Sequence, residues 1–388
     1  MRTNPPVRTS RRAVFAALAA IVVIAVTAAL VGVGRPATAV PVATEATPLG
    51  ALAAPGIPPR QPAQLVSCAD ATGEIVQSCL VDVLVTQVTT DGARAALDTL
   101  NTIGSADDNV ALGCHLYTHE IGEAAVAVYE TPAEAFAEGD MRCQFGYEHG
   151  FLVGRAVAGT EEAFRAEIPT VCNFYDSNDF AMSSCVHGIG HAAIARSGAD
   201  LSAASVFCAE LSSSTHQRSC VTGVAMGFVE SQMIPGVSAD PSRLAEMADI
   251  CDDVDSHIEE CLREVAVGWL SLYDDDFQTV LGLCASKSAG RDAVAGQQCA
   301  RGVGFRAGRS SIDDPAGVVS HCESAAPDVR GWCYGGAAIS RFESRYRFEP
   351  DAGAVVCAAV PGTEEELRVR CESLLREAMQ AYATLPVN

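Results

Sequence analysis

The sequence predicts an all-α protein: a solenoid of about eight disulfide-stapled helical hairpins behind an N-terminal transmembrane helix. Three observations carry that prediction. The sixteen cysteines fall into sequential pairs, and the second cysteines of the later pairs recur at 185, 220, 261, 299, 333 and 371, steps of 34 to 41 residues. That period suits a two-helix repeat unit. Helix-start signals recur in phase with it. An uncharged run, Ala13 to Gly34, sits behind Arg8, Arg11 and Arg12.

That run is 22 residues long. It approaches the ~20 needed to cross a bilayer and exceeds the ~7–15 of a cleavable signal core. Its basic flank, residues 1–12, is expected to stay cytoplasmic, which places the rest outside. Ala37-Thr38-Ala39 keeps cleavage open, which would release a secreted protein. Residues 35–66 hold seven prolines among alanines and valines and read as a semi-extended tether. The extracytoplasmic domain then spans 67–388, with a histidine-rich part at 106–196 and scaffold repeats at 197–385.

The chain carries −22, and residues 1–60 hold six arginines against one glutamate, so the external part carries −27. Such a surface repels nucleic acid and anionic headgroups. No nucleic-acid partner is expected. The expected partners are the membrane, through the N-terminal helix, and a peptide or protein in the solenoid groove.

Seven of the cysteine pairs are 10 to 15 residues apart. They are Cys68 and Cys79, Cys172 and Cys185, Cys208 and Cys220, Cys251 and Cys261, Cys284 and Cys299, Cys322 and Cys333, and Cys357 and Cys371. The eighth pair, Cys114 and Cys143, is 29 apart. In an exported chain an even count with regular pairing means disulfides, and no C-x2-C or C-x4-C zinc spacing is present.

First helices start at Thr131-Pro132, Asp240-Pro241 and Asp314-Pro315, where a capping side chain precedes proline at the first helical position. Asp200 and Asp276 cap without proline. A polar loop leads from each first helix to the cysteine opening the second, as in CVTGVAMGFVE (220–230) and CLREVAVGWL (261–270). Glycine recurs three residues after that cysteine, at Gly146, Gly188, Gly223, Gly302 and Gly336. Its repetition predicts close backbone approach between stacked second helices. In period and hairpin plan the array resembles Sel1-like and tetratricopeptide repeats, whose signature residues are not matched and whose binding roles are not carried over.

Five of the eight histidines lie between Cys114 and His191: His115, His119, His149, His187 and His191. His115 and His119 are an i, i+4 pair, as are His187 and His191, a spacing that lets both imidazoles reach one ion. At the position of His191 later repeats place Met226, Val267, Phe305 and Ile339, so the position faces inward. Cys114 is read as lying inside a long helix, roughly 107–130, so that its bridge to Cys143 joins two histidine-bearing helices. Adjacent helices pack ~8–10 Å apart. The expected site is therefore His115, His119 and His149, with His187 and His191 as a second site or supporting layer. Glu120, Glu123 and Glu148 are the candidate bases or further ligands.

Such ligation suits a divalent transition metal: Zn, Fe, Mn or Cu. Haem is disfavoured, since no C-x-x-C-H attachment motif is present. There is no G-x-S-x-G, no H-E-x-x-H (His119-Glu120 continues Ile-Gly-Glu), no P-loop and no dinucleotide fingerprint. The sequence therefore points to a membrane-anchored metalloprotein, with metal-dependent oxidoreductase or hydrolase chemistry open to it. The alternative is a non-enzymatic peptide- or protein-binding scaffold whose histidines form a buried polar network with Tyr117, Tyr147 and the carboxylates.

Overall fold

Glycine-spaced inner helices, each tied by a disulfide to the segment before it, build the structure. A computed structural model describes Cys68 and residues 74–384, apart from 108–109, 112, 140, 233–250, 252–257, 292, 312–313 and 344–348. The described residues form sixteen α-helices and no strand. The proposed transmembrane run, the tether, the Asp240-Pro241 start and His257 lie outside them. No helix among the described residues is long and apolar enough to cross a membrane.

Two opening helices, α1 (Glu74–Asp91) and α2 (Ala93–Gly104), pack on α3 (Cys114–Ala125). The long inner helices that follow are α5 (Gly146–Ala158), α7 (Asp179–Arg196), α9 (Ser214–Gln232), α10 (Ile258–Leu272), α12 (Ala293–Ser310), α14 (Pro327–Glu343) and α16 (Glu365–Tyr382). Each packs on the next in that order, starting from α3. Shorter helices lie between them: α4 (Pro132–Glu138), α6 (Glu161–Glu167), α8 (Leu201–Cys208), α11 (Phe277–Ser288), α13 (Pro315–Cys322) and α15 (Pro350–Ala359).

Local chemistry explains the starts. Thr131 opens α4 with a full capping box through Glu134. Asp200 accepts from the Ala203 amide and Asp276 from the Thr279 amide. Asp314 precedes Pro315 but makes no capping hydrogen bond with its side chain. Two further caps, Thr160 and Asn178, begin α6 and α7.

All sixteen cysteines are paired, in the sequential order that their spacing predicts. Cys68 is bonded to Cys79, Cys114 to Cys143, Cys172 to Cys185 and Cys208 to Cys220. Further along, Cys251 is bonded to Cys261, Cys284 to Cys299, Cys322 to Cys333 and Cys357 to Cys371. Cys185, Cys220, Cys261, Cys299, Cys333 and Cys371 all lie within inner helices, so each of those bridges anchors an inner helix to the segment before it. Cys79 does the same within α1, tying it to Cys68. A loop of this length contributes roughly 3 kcal/mol in the closure-entropy picture. Eight bridges also mark an oxidising, extracytoplasmic compartment. The phased glycines sit where the backbones meet. A methyl group at Gly223, Gly302 or Gly336 would collide with the carbonyl of His187, Arg263 or Arg301 on the preceding inner helix.

Two expectations about the cysteines need correcting. Cys114 does not lie within a long helix but opens α3, immediately after Gly113. Its bridge therefore joins the starts of two successive inner segments. Nor do the second cysteines of the later pairs open their helices. Cys185, Cys220, Cys261, Cys299, Cys333 and Cys371 each sit three to six residues inside, because the helix already begins in the polar segment before the cysteine. Asn178, for example, caps α7 ahead of Cys185 by accepting from the Ala181 amide.

The last inner helices return to the first. Gln144 Nε2 donates to Glu343 Oε2 at 2.6 Å, Asn178 Nδ2 donates to the Thr384 carbonyl at 2.6 Å, and the Phe180 and Tyr382 rings lie 4.6 Å apart. Together the inner helices line a cavity of about 280 Å³.

Candidate metal centre

Gly113 starts α3 so that His115 and His119 fall on its inner side. The next element begins with an unusual turn. Cys143, Gln144 and Phe145 are consecutive non-glycine residues with φ of 55°, 57° and 61°. Left-handed backbone costs an L-residue roughly 1–2 kcal/mol. The Cys114–Cys143 bridge holds this turn, and the turn presents the Cys143 carbonyl to His115, whose Nδ1 donates to it at 2.7 Å. In α5, His149 donates from Nε2 to the Ser184 carbonyl of α7 at 3.0 Å.

Those two bonds set the tautomers. His115 keeps a bare Nε2 and His149 a bare Nδ1, and neither nitrogen, nor Nε2 of His119, has a hydrogen-bond partner. A backbone carbonyl holding the far nitrogen is how metal-binding histidines are oriented. One nitrogen from each of His115, His119, His149 and His191 lies within 4.8 Å of all the others. Nitrogens around tetrahedral zinc at ~2.1 Å are about 3.4 Å apart, so modest ring rotations would close the set. His115, His149 and His191 are 6%, 3% and 2% exposed, which shields the site from bulk water.

His191 thus belongs with the first three, contrary to the expectation that α3 and α7 stand too far apart. Glycine removes the distance. A glycine on the following helix faces each of the five histidines: Gly146 over His115, Gly150 over His119, Gly188 over His149, Gly223 over His187 and Gly227 over His191. With no side chain between them the backbones close in, and the His119 and His191 rings come to 5.1 Å. His187 remains outside the four, its Nε2 3.1 Å from Nε2 of His191.

The three carboxylates expected at the site are elsewhere. Glu120 and Glu123 are exposed. Each i, i+4 step turns a helix by about 40°, so a line from His115 through His119 has left the inner face by Glu123. Glu148, one residue before His149, points away around α5. It accepts from the Tyr175 hydroxyl at 2.9 Å, and burial pushes it up to about 8, leaving it protonated at neutral pH. Tyr147 likewise turns outward and donates to the Ala135 carbonyl at 3.1 Å.

The carboxylate that does meet the histidines is Glu230, at the end of α9. Its Oε2 lies 3.3 Å from Nδ1 of His191 and its Oε1 3.8 Å from Nε2 of His115. Burial alone would raise its pKa, but the imidazoles of His191, His119 and His115 override this and hold it ionised. One sequence signal pointed to it. Met226 occupies the inward phase of His191, and Glu230 is one turn further along that face.

Burial lowers the pKa of His115, His119, His149 and His187, and for His119 and His149 neighbouring imidazoles lower it further. Burial thus disfavours protonation of these four imidazoles, which lie beside the one carboxylate, Glu230. The chain matches no protein-family profile, no curated protein sequence and no solved structure.

Proposed function

We propose that this is an extracytoplasmic metalloprotein whose repeat hairpins form a closed solenoid around one transition-metal centre. His115, His119, His149 and His191 hold the ion, with Nε2 of His191 turned to it in place of its contact with His187, and Glu230 orients His191 and balances charge. The carrying observation is the set of three buried imidazole nitrogens with no hydrogen-bond partner, two of them bared by carbonyl bonds on the opposite nitrogen. A polar network built for structure would leave few such groups unsatisfied. Four nitrogen donors suit Zn, Cu or Fe better than Mn. Rings packed this tightly leave no room for a porphyrin between them.

A bound ion would supply Lewis acidity or redox chemistry. Around it the chain excludes bulk water, fixes the imidazole tautomers and opens one side onto the central cavity, lined by His115, His149 and His187. That opening favours metal-assisted catalysis on a small molecule over storage. It also favours a small ligand over a peptide, since about 280 Å³ lies at the lower end of ligand-pocket sizes. We place the domain outside the membrane on the anchor at residues 13–34, and N-terminal sequencing would expose cleavage after Ala39.

The test is elemental analysis of protein purified from an oxidising compartment, followed by reloading with Zn, Cu, Fe and Mn. One equivalent of a single element per chain is expected. Absence of stoichiometric metal between pH 6 and 8 would remove this reading and leave the protein-binding scaffold as the better account.

A further inference from the structure

The lining of the central cavity carries charge that the metal centre does not explain. Arg263 on α10 and Arg301 on α12 both line it, as do Glu264, Glu343 and the hydroxyl-bearing Ser183 and Ser184. Arg263 is accounted for, donating from Nε to Glu264 at 2.7 Å. Glu343 is also occupied, accepting from Gln144, and burial raises its pKa. Arg309, just behind, donates to Gln144 Oε1 at 3.3 Å and stacks on the Phe305 ring.

Arg301 has no such arrangement. Among the described residues it makes no hydrogen bond and no ion pair. Burial, and then the neighbouring Arg263, depress it to about 10, so it still carries its full charge at neutral pH. Arg301 is half-buried and lines the cavity, so its guanidinium can meet a ligand there. A guanidinium lining a cavity matches an oxyanion in both charge and geometry. A metal ion bound by the histidines would add further positive charge to the same cavity.

We infer that the cavity binds a small oxyanion, a carboxylate or phosphate group, with Arg301 as its anchor and the histidine centre at its other end. This names the ligand class of the proposed metal site and rests on that reading. The anion would be held on the Arg301 side while its remaining atoms face His149 and His187. Arg263 and Ser184 line the same cavity.

The experiment titrates the full exported chain with inorganic phosphate and, separately, with acetate, by calorimetry, in metal-loaded and metal-free forms. Wild type, Arg301→Gln and Arg301→Lys are compared, with metal content and far-UV circular dichroism recorded for each. Loss of one charge-assisted contact should weaken binding of the preferred anion by about tenfold or more in Arg301→Gln, with metal content unchanged. Arg301→Lys, which keeps the charge but not the fork, should lie between. Equal binding in wild type and Arg301→Gln, or no binding by metal-loaded wild type, overturns the inference while stoichiometric metal leaves the centre standing. If the chain holds no metal, the metal-free titration decides: Arg301-dependent binding upholds an anion site without a metal, and its absence overturns both. Should Arg301→Gln not fold, Arg301→Lys is judged by the same criterion.

Discussion

Replacing His149 by alanine separates what the histidines contribute to stability from what they contribute to metal binding. His149 sits at the middle of the cluster, its ring 5.0 Å from His191, 5.2 Å from His187, 5.5 Å from His115 and 5.6 Å from His119. Without metal, truncation removes the hydrogen bond from Nε2 to the Ser184 carbonyl at 3.0 Å, an acceptor inside α7 that keeps its helical partner. One lost hydrogen bond costs about 0.5–1.5 kcal/mol. Because the ring borders an existing cavity, water can reach the gap and the loss should fall in the lower half of that range. Eight disulfides keep the helices in place. With metal the difference is larger. An ion at a thousand times its Kd stabilises the native state by about 4 kcal/mol, and a centre reduced to three donors should lose most of that. The assay is thermal unfolding of wild type and His149→Ala with metal and with chelator, alongside elemental analysis. Wild type should melt higher with metal, while the variant should show little metal dependence and a small intrinsic deficit. Stoichiometric metal in the variant, or a wild-type melt indifferent to chelator, would refute the geometry.

Glu230→Gln keeps shape but removes the charge facing His191, and should weaken metal binding by about 10–100-fold without altering the fold, as competition with a calibrated chelator would show. His216→Ala, outside the cluster, should change nothing in the same assay. Gly188→Ala would set a methyl 2.7 Å from Cδ2 of His149 and should both destabilise the chain by about 1–3 kcal/mol and lower metal content; a variant with native melting and full metal would count against the close-packing argument. Exchanging Cys114 and Cys143 together for serine should free the left-handed turn, costing about 2–4 kcal/mol and weakening the metal further than removal of Cys357 and Cys371. The pH dependence follows from burial, which lowers the pKa of His115, His119, His149 and His187. Above their unfolded value of ~6.5 these groups are neutral in both states and leave stability unchanged with pH. Below it the unfolded chain takes protons that the folded chain refuses. Stability of the metal-free protein should then fall by about 1.4 kcal/mol per pH unit and per histidine until the folded pKa values are passed. Denaturant titrations in chelator between pH 5 and 8 that showed flat or rising stability on acidification would contradict neutral, buried imidazoles.

Much of this architecture could be read along the chain because it depends on spacing. Cysteines 10 to 15 residues apart in a regular series favour pairing with each other, and capping residues act within one turn, so hairpins and most bridges were suggested by local distances. The phased glycines also predicted close helix contact, since a residue with no side chain recurring in a helix has that use. The histidines were visible as a group for the same reason of phase. Their grouping around a point was not. Whether α7 could bring His191 to His115 depended on how far glycine contacts tighten the stack, a quantity set by three helices at once. Glu148 and Glu230 make the same point in opposite directions. Glu148 adjoins a site histidine in sequence, yet a helix turns about 100° between neighbours and sends it to Tyr175. Glu230 is more than a hundred residues from His115 and reaches it because α9 packs on α7 at the level of the cluster. The return of α14 and α16 to the first helices, which sets Arg301 and the histidines around one cavity, depends on contacts between residues about two hundred positions apart. No single repeat contains those contacts, so only the folded chain decides it.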